Sequence, residues 1–189
     1  MATEYELKFR ATPAILAEID GAFPVPGTKI AMQTTYYDTP DCALSAQRYT
    51  LRKRLENGVS VCTLKTPGAD ARNEWETECD SIEAALPRLY EAGAPKLQLE
   101  GGLTAICGAK FTRIAKAIRL DEGVVELALD EGVLTGADKQ MPLCEVEVEL
   151  KAGDAALCDA FAQALQTRFS LTPEKQSKFR RAFLLYKGE

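Results

Sequence analysis

The chain has 189 residues, 46% of them hydrophobic, which is enough to bury one core without disulfide staples, and its net charge of −5 excludes a nucleic-acid binder that works through a broadly basic surface. It contains no histidine, which excludes Ser-His and Cys-His nucleophile pairs, a histidine general base and histidine-ligated zinc. There is no Gly-x-x-x-x-Gly-Lys-Ser/Thr loop, membrane-length apolar run, signal-peptide pattern, repeat or linker, so the sequence predicts a single cytoplasmic domain over residues 1–189. Its six cysteines, none in a Cys-x-x-Cys spacing, read as reduced core residues.

Along the chain, Glu4-Tyr5-Glu6-Leu7-Lys8-Phe9 alternates as a strand does, so Glu4, Glu6 and Lys8 share one face. Two carboxylates beside an ammonium can hold a divalent cation next to an anion, although an amphipathic strand with a solvated face shows the same pattern. Thr12-Pro13 predicts a capped helix start. Thr50–Leu55 places Arg52 and Arg54 on one strand face, Val59–Lys65 follows as a second strand, and Asn57-Gly58 between them predicts a tight hairpin turn. Arg72–Cys79 alternates again, with Glu74, Glu76 and Glu78 opposite Trp75, Thr77 and Cys79. Ser81 to about Ala92 reads as a helix in which Pro87 predicts a break or a late start. Val124–Asp130 and Glu145–Leu150 read as strands, the second with Glu145, Glu147 and Glu149 on one face. Two helices follow, Asp154–Phe169 and Pro173–Tyr186. In the second, Lys178 and Arg181 are three apart and share a face, which suits either a bound ligand or a solvated basic patch.

Solvated sheets usually intersperse charges of both signs, because like charges directly opposite one another destabilise a strand pair. Here whole strands carry one sign. That segregation is reasonable if the charged faces converge on a cation held by glutamates and an anion held by arginines and lysines. A sheet closed into a barrel around a polar tunnel would achieve this.

Taken in order, Glu-x-Glu-x-Lys at 4–8, Tyr36-Tyr37-Asp38-Thr39-Pro40, Leu51-Arg52-Lys53-Arg54, Thr63-Leu64-Lys65, Leu127–Gly132, Glu145–Leu150 and Ser177–Ala182 give a chain that resembles the CYTH family of triphosphate tunnel metalloenzymes from Glu4 to about Arg181. The resemblance implies an α+β fold, an eight-stranded closed antiparallel β-barrel with flanking helices, whose tunnel binds a triphosphate with Mg²⁺ or Mn²⁺. It implies Glu4, Glu6, Glu145 and Glu147 as metal ligands, with Asp130 as a further candidate. Lys8, Arg52, Arg54, Lys65, Arg113 and Lys178 become phosphate ligands, Arg181 joins them through the Ser-Lys-x-x-Arg motif, and Glu74 matches an acidic position reaching into the tunnel. Glu4, Glu6 and Lys8 are the expected catalytic set, and Glu149 is an acidic residue that only some members carry. Glu76 and Glu78 read as ordinary strand-end glutamates, Lys116 and Arg119 as surface charges, and Trp75 as an outward-facing core residue.

The expected activity is metal-dependent hydrolysis of inorganic triphosphate to pyrophosphate and phosphate, with metal-bound water replacing a histidine base. The expected partner is a small-molecule triphosphate, with no membrane or nucleic acid involved. Relatives in this fold also cleave thiamine triphosphate, remove the 5′ γ-phosphate of RNA, or cyclise ATP as class IV-type adenylate cyclases do. A non-catalytic polyphosphate or nucleotide binder is the competing reading.

Overall fold

The computed structural model describes residues 5–68 and 72–189. Strands β1 (Glu6–Arg10), β2 (Gly27–Asp38), β3 (Thr50–Glu56), β4 (Val59–Thr66), β5 (Asn73–Glu78), β6 (Thr104–Leu120), β7 (Gly123–Gly136), β8 (Lys139–Ala152) and β9 (Thr172–Pro173) form one sheet in the order β5-β4-β3-β2-β6-β7-β8-β1-β9. Every pairing in it is antiparallel. Asn57 (φ 49°) and Gly58 (φ 90°) make the β3–β4 turn in the left-handed region that those two residues tolerate.

The closed eight-stranded barrel expected from the resemblance is not what the described residues form. Their sheet has nine strands and no ladder joins its two edges. The register also staggers the shorter strands. β1 pairs with Glu145–Glu149 of β8, and Glu145 aligns through Asp130 and Arg113 with Ile30 of β2, whereas β3 pairs with Met32–Tyr37. β1 and β3 are therefore offset along the long strands β6, β7 and β8.

Five helices cover the sheet: α1 (Pro13–Ala22), α2 (Ala43–Ala46), α3 (Ile82–Glu91), α4 (Ala155–Phe169) and α5 (Lys178–Lys187). Side-chain oxygens of Thr12, Ser81, Asp154 and Ser177 accept from backbone N–H groups in the first turns of α1, α3, α4 and α5. Pro87 does not break α3, because burial of Ile82, Ala85, Leu86 and Leu89 outweighs the one hydrogen bond it removes. The last helix starts at Lys178 and not at Pro173. Thr172–Pro173 instead pairs with Phe9-Arg10, and Ser177 sets the helix start.

On the outer face, α1 and α4 pack on Phe9, Val125, Leu127, Leu129, Val146 and Val148. A second outer core gathers Leu51, Cys62 and Leu64 with α3, and Trp75 packs against it as expected. α5 lies on the inner face, where Ala182 and Phe183 meet Met32, Tyr36, Phe111 and Leu134. Gly136 allows this approach, since a Cβ there would lie 2.6 Å from the Ala182 carbonyl oxygen. No helix among the described residues is long and apolar enough to cross a membrane.

Candidate active site

Strand register gathers the charges. Because side chains alternate, partners across the ladder share a face: Glu74 with Lys65, Thr63 with Arg52, Arg54 with Thr34, Arg113 with Asp130, Asp130 with Glu145, and Glu147 with Lys8. The outer side of the same strands carries the aliphatic cores, so the charged face is the inner one, onto which α5 packs.

At the β7–β8 end, carboxylate oxygens of Asp130, Glu145 and Glu147 lie within 4.8 Å of one another. Asp130 and Glu145 are fully buried. Three cations of the chain neutralise them. Lys178 Nζ stands 2.9 Å from Asp130 and 2.6 Å from Glu147 and also contacts Glu145. Arg113 grips Asp130 through Nε and Nη2, both at 2.8 Å, and reaches Glu147, while Arg181 pairs with Glu145. Phe111 forms an aromatic floor, its ring centre 5.4 Å from Lys178 Nζ.

The electrostatics follow from burial and contact. Burial alone would lower Lys178 and Arg113, but Glu147 and Asp130 outweigh it and hold both cations above their usual values. Burial raises Glu145, and the neighbouring charge of Glu147 adds to it, pushing Glu145 up to about 7. Burial acts on Glu147 too, yet Lys178 and Arg113 together hold it well below the carboxylate range. The two carboxyls titrate as a pair. Three buried carboxylates form an all-oxygen donor set, which fits a hard divalent cation of the Mg²⁺ or Mn²⁺ kind. The same oxygens hold Lys178, so such a cation would compete with it.

The β3–β4 end differs. Arg52 lies 3.6 Å from Glu74, Lys65 lies 2.8 Å from Glu74, and Arg54 pairs with Glu56. Burial, then Arg52 and Arg113, lower the Arg54 guanidinium. Nε of Arg52 and Nε of Arg54 are buried with no hydrogen-bond partner among the described residues. Donors left this way are suited to an acceptor-only anion such as phosphate.

Of the residues singled out from sequence, Asp130, Glu145, Glu147, Arg113, Lys178 and Arg181 form one network, and Arg52, Lys65 and Glu74 a second. Glu6 and Lys8 pair with each other at 2.9 Å on the same face, but Glu6 is outside the three-carboxylate cluster. Glu4 lies outside the described residues. Glu149 pairs with Lys151 at 2.7 Å, Glu76 and Glu78 are exposed, and so is Arg119.

Lys116, read from sequence as a surface charge, is only 4% exposed. Its position on β6 puts it on the outer face under the end of α1. There Nζ donates to the Asp20 and Phe23 carbonyl oxygens, both at 2.8 Å, and pairs with the Asp20 carboxylate at 2.5 Å.

Glu174 escaped the sequence reading, because it sits between β9 and α5 where no periodicity marks it. It is buried, accepts from Arg10 Nε at 2.6 Å and from the Gln176 N–H at 2.8 Å, and stands 3.6 Å from Arg181. It therefore helps to fix Arg181 against Glu145. Asp38, in the Tyr-Tyr-Asp-Thr motif, is a loop organiser whose carboxylate accepts from the N–H groups of Thr39, Leu44 and Ser45.

An inorganic triphosphatase of Haemophilus influenzae is 28% identical over 195 aligned positions, covering 98% of this chain, and the chain spans 55% of that protein's length. A candidate adenylyl cyclase from Hippeastrum, described as having a dominant triphosphatase activity, superposes with a TM-score of 0.67 at 19% identity over 98% of this chain and 96% of that one. A candidate adenylate cyclase from Bacillus halodurans gives 0.64 at 17% identity, over 96% and 97% of the two chains. At those identities the two structures establish the fold alone. The CYTH domain model matches residues 2–183, nearly the whole chain, and the protein belongs to the CYTH domain family.

Proposed function

We propose that this protein hydrolyses inorganic triphosphate to pyrophosphate and phosphate on the inner face of the sheet, with a divalent cation of the Mg²⁺ or Mn²⁺ kind. The observation that carries the reading is the polarity of that face. Buried carboxylates of Asp130, Glu145 and Glu147 gather on β7 and β8, and on β3 the buried Nε atoms of Arg52 and Arg54 lie without acceptors among the described residues. The inorganic triphosphatase relative supports the substrate class.

In this reading Arg52, Arg54 and Lys65 bind and orient the phosphate chain, and neutralise charge that would repel an incoming nucleophile. Lys8 reaches the same anion from β1, and Glu74 holds Arg52 and Lys65 in place. Asp130, Glu145 and Glu147 hold the metal, with Glu6 of β1 as a further carboxylate and Glu4 joining it through the Glu-x-Glu-x-Lys motif. A bound metal supplies Lewis acidity and lowers the pKa of its water, which is why no histidine base is required. Lys178, Arg113 and Arg181, released from part of their carboxylate contacts, are placed to follow the anion.

The test is phosphate release from tripolyphosphate, thiamine triphosphate, ATP and long-chain polyphosphate, with and without Mg²⁺ or Mn²⁺. Tripolyphosphate is expected to be cleaved fastest, and only with metal. Faster release from ATP or thiamine triphosphate would reassign the substrate, and no release from any of them would favour the non-catalytic binder.

A further inference from the structure

We propose that Thr63 is a substrate-contacting residue whose hydroxyl donates to a non-bridging phosphoryl oxygen, in one subsite with Arg52 and Arg54; the assignment rests on the triphosphate reading above. Thr63 lies on β4 between the outward-facing core residues Cys62 and Leu64, so its side chain points to the inner face. It is wholly buried, at 0% exposure, and its Oγ1 finds no hydrogen-bond partner among the described residues. Valine would fill the same volume in a strand without burying an unpaired hydroxyl, so a structural role alone does not account for the threonine.

Its neighbours indicate what would satisfy it. Arg52 is directly across the ladder, and Arg54 lies two residues further along β3 on the same face. Their Nε atoms are likewise buried and without acceptors among the described residues. A hydroxyl can serve as donor or acceptor, but guanidinium N–H groups only donate. One ligand meets all three needs if it is acceptor-only and carries several oxygens, as a phosphoryl group does.

The test compares Thr63→Val, Thr63→Ser and Thr63→Ala with the wild type in kcat/KM for tripolyphosphate, in melting temperature without ligand, and in the melting-temperature rise on adding tripolyphosphate with Ca²⁺. The Val variant is expected to lose about 10- to 100-fold in kcat/KM, the range for one hydrogen bond to a charged group, and to lose most of the ligand-induced rise. Its melting temperature without ligand should stay unchanged or increase, because an unpaired buried hydroxyl has been removed. The Ser variant should keep activity within a few-fold. Ala should match Val in activity, which decides the question even if Val does not fold. Val and Ala variants within twofold of the wild type, or a Ser variant as impaired as Val, would overturn the assignment. A wild-type chain that neither cleaves tripolyphosphate nor melts higher with it would overturn the proposed function itself.

Discussion

On β7 and β8 the carboxylates of Asp130, Glu145 and Glu147 meet Lys178, Arg113 and Arg181, three anions against three cations, whereas on β3 and β4 the Arg52 and Arg54 guanidiniums keep buried Nε atoms without acceptors among the described residues. Both regions lie on one sheet face and both are desolvated; the first pairs each of its carboxylates with a cation and leaves one guanidinium atom, Arg181 Nε, without a partner among the described residues, whereas the second leaves two on a single strand. A self-neutralised cluster can contribute to holding the fold together, because removing one partner leaves buried charge uncompensated. Donors left open contribute little to folding and remain available for a ligand. The contrast assigns different consequences to mutation at the two ends.

The largest effect is expected at Lys178. Its Nζ serves three carboxylates at once, so Lys178→Met should destabilise the metal-free protein by about 3–5 kcal/mol, the usual cost of breaking a buried ion pair. A divalent cation can take the ammonium's place among the same oxygens, so excess Mg²⁺ should recover much of the loss. Thermal melts in EDTA and in Mg²⁺ provide the check. A variant that melts with the wild type in EDTA would show that the acidic end is not held by its own cations.

Arg54→Met sharpens the other side of the comparison. Burial and repulsion from Arg52 and Arg113 already disfavour this charge, and its partner Glu56 is partly exposed and can be resolvated. Removing the guanidinium should leave stability unchanged or raise it by up to about 1 kcal/mol, while kcat/KM for triphosphate falls by at least about tenfold. A variant that loses stability and activity together would erase the distinction between the two ends.

How much of this was legible in the sequence depends on which residues carried a pattern. β1, β3, β5 and β8 each alternate charge with apolar side chains, β4 follows from the hairpin turn before it and ends in Lys65, and Asn57-Gly58, Thr12, Ser81 and Asp154 mark a turn and three helix starts by local chemistry. β6, the longest strand, and β2 went unread. They face α5 or other apolar groups on one side along part of their length and charge along the rest, and a register shift at Tyr36/Tyr37 interrupts the period. The partners of Lys116 and Glu174 were hidden because they are set by tertiary packing across 96 and 164 residues. The same holds for barrel closure, since strand alternation fixes which face is polar and not whether two edges meet.

The smallest expected effect is a pH dependence confined to the acidic end. Burial and the neighbouring Glu147 charge push Glu145 up to about 7 from an ordinary 4.5, so between those limits the folded chain keeps a proton that the unfolded chain releases. Its contribution to stability is fully present below about 4.5 and is lost as pH rises through about 7. Glu147 has the opposite sign, with a contribution present above the ordinary carboxylate range and lost on acidification, so above pH 5.5 it adds no slope. The metal-free wild type should therefore melt at slightly lower temperature as pH climbs from about 5.5 to 8, and Glu145→Gln, which cannot titrate there, should flatten the profile. Metal requires the deprotonated carboxylate, so Mg²⁺ should oppose the decline most strongly at the upper end of the range. A metal-free melting temperature that instead stays flat across this interval would mean that Lys178 and Arg181 keep Glu145 ionised throughout, leaving the acidic end as a fixed-charge network with no proton to exchange for metal.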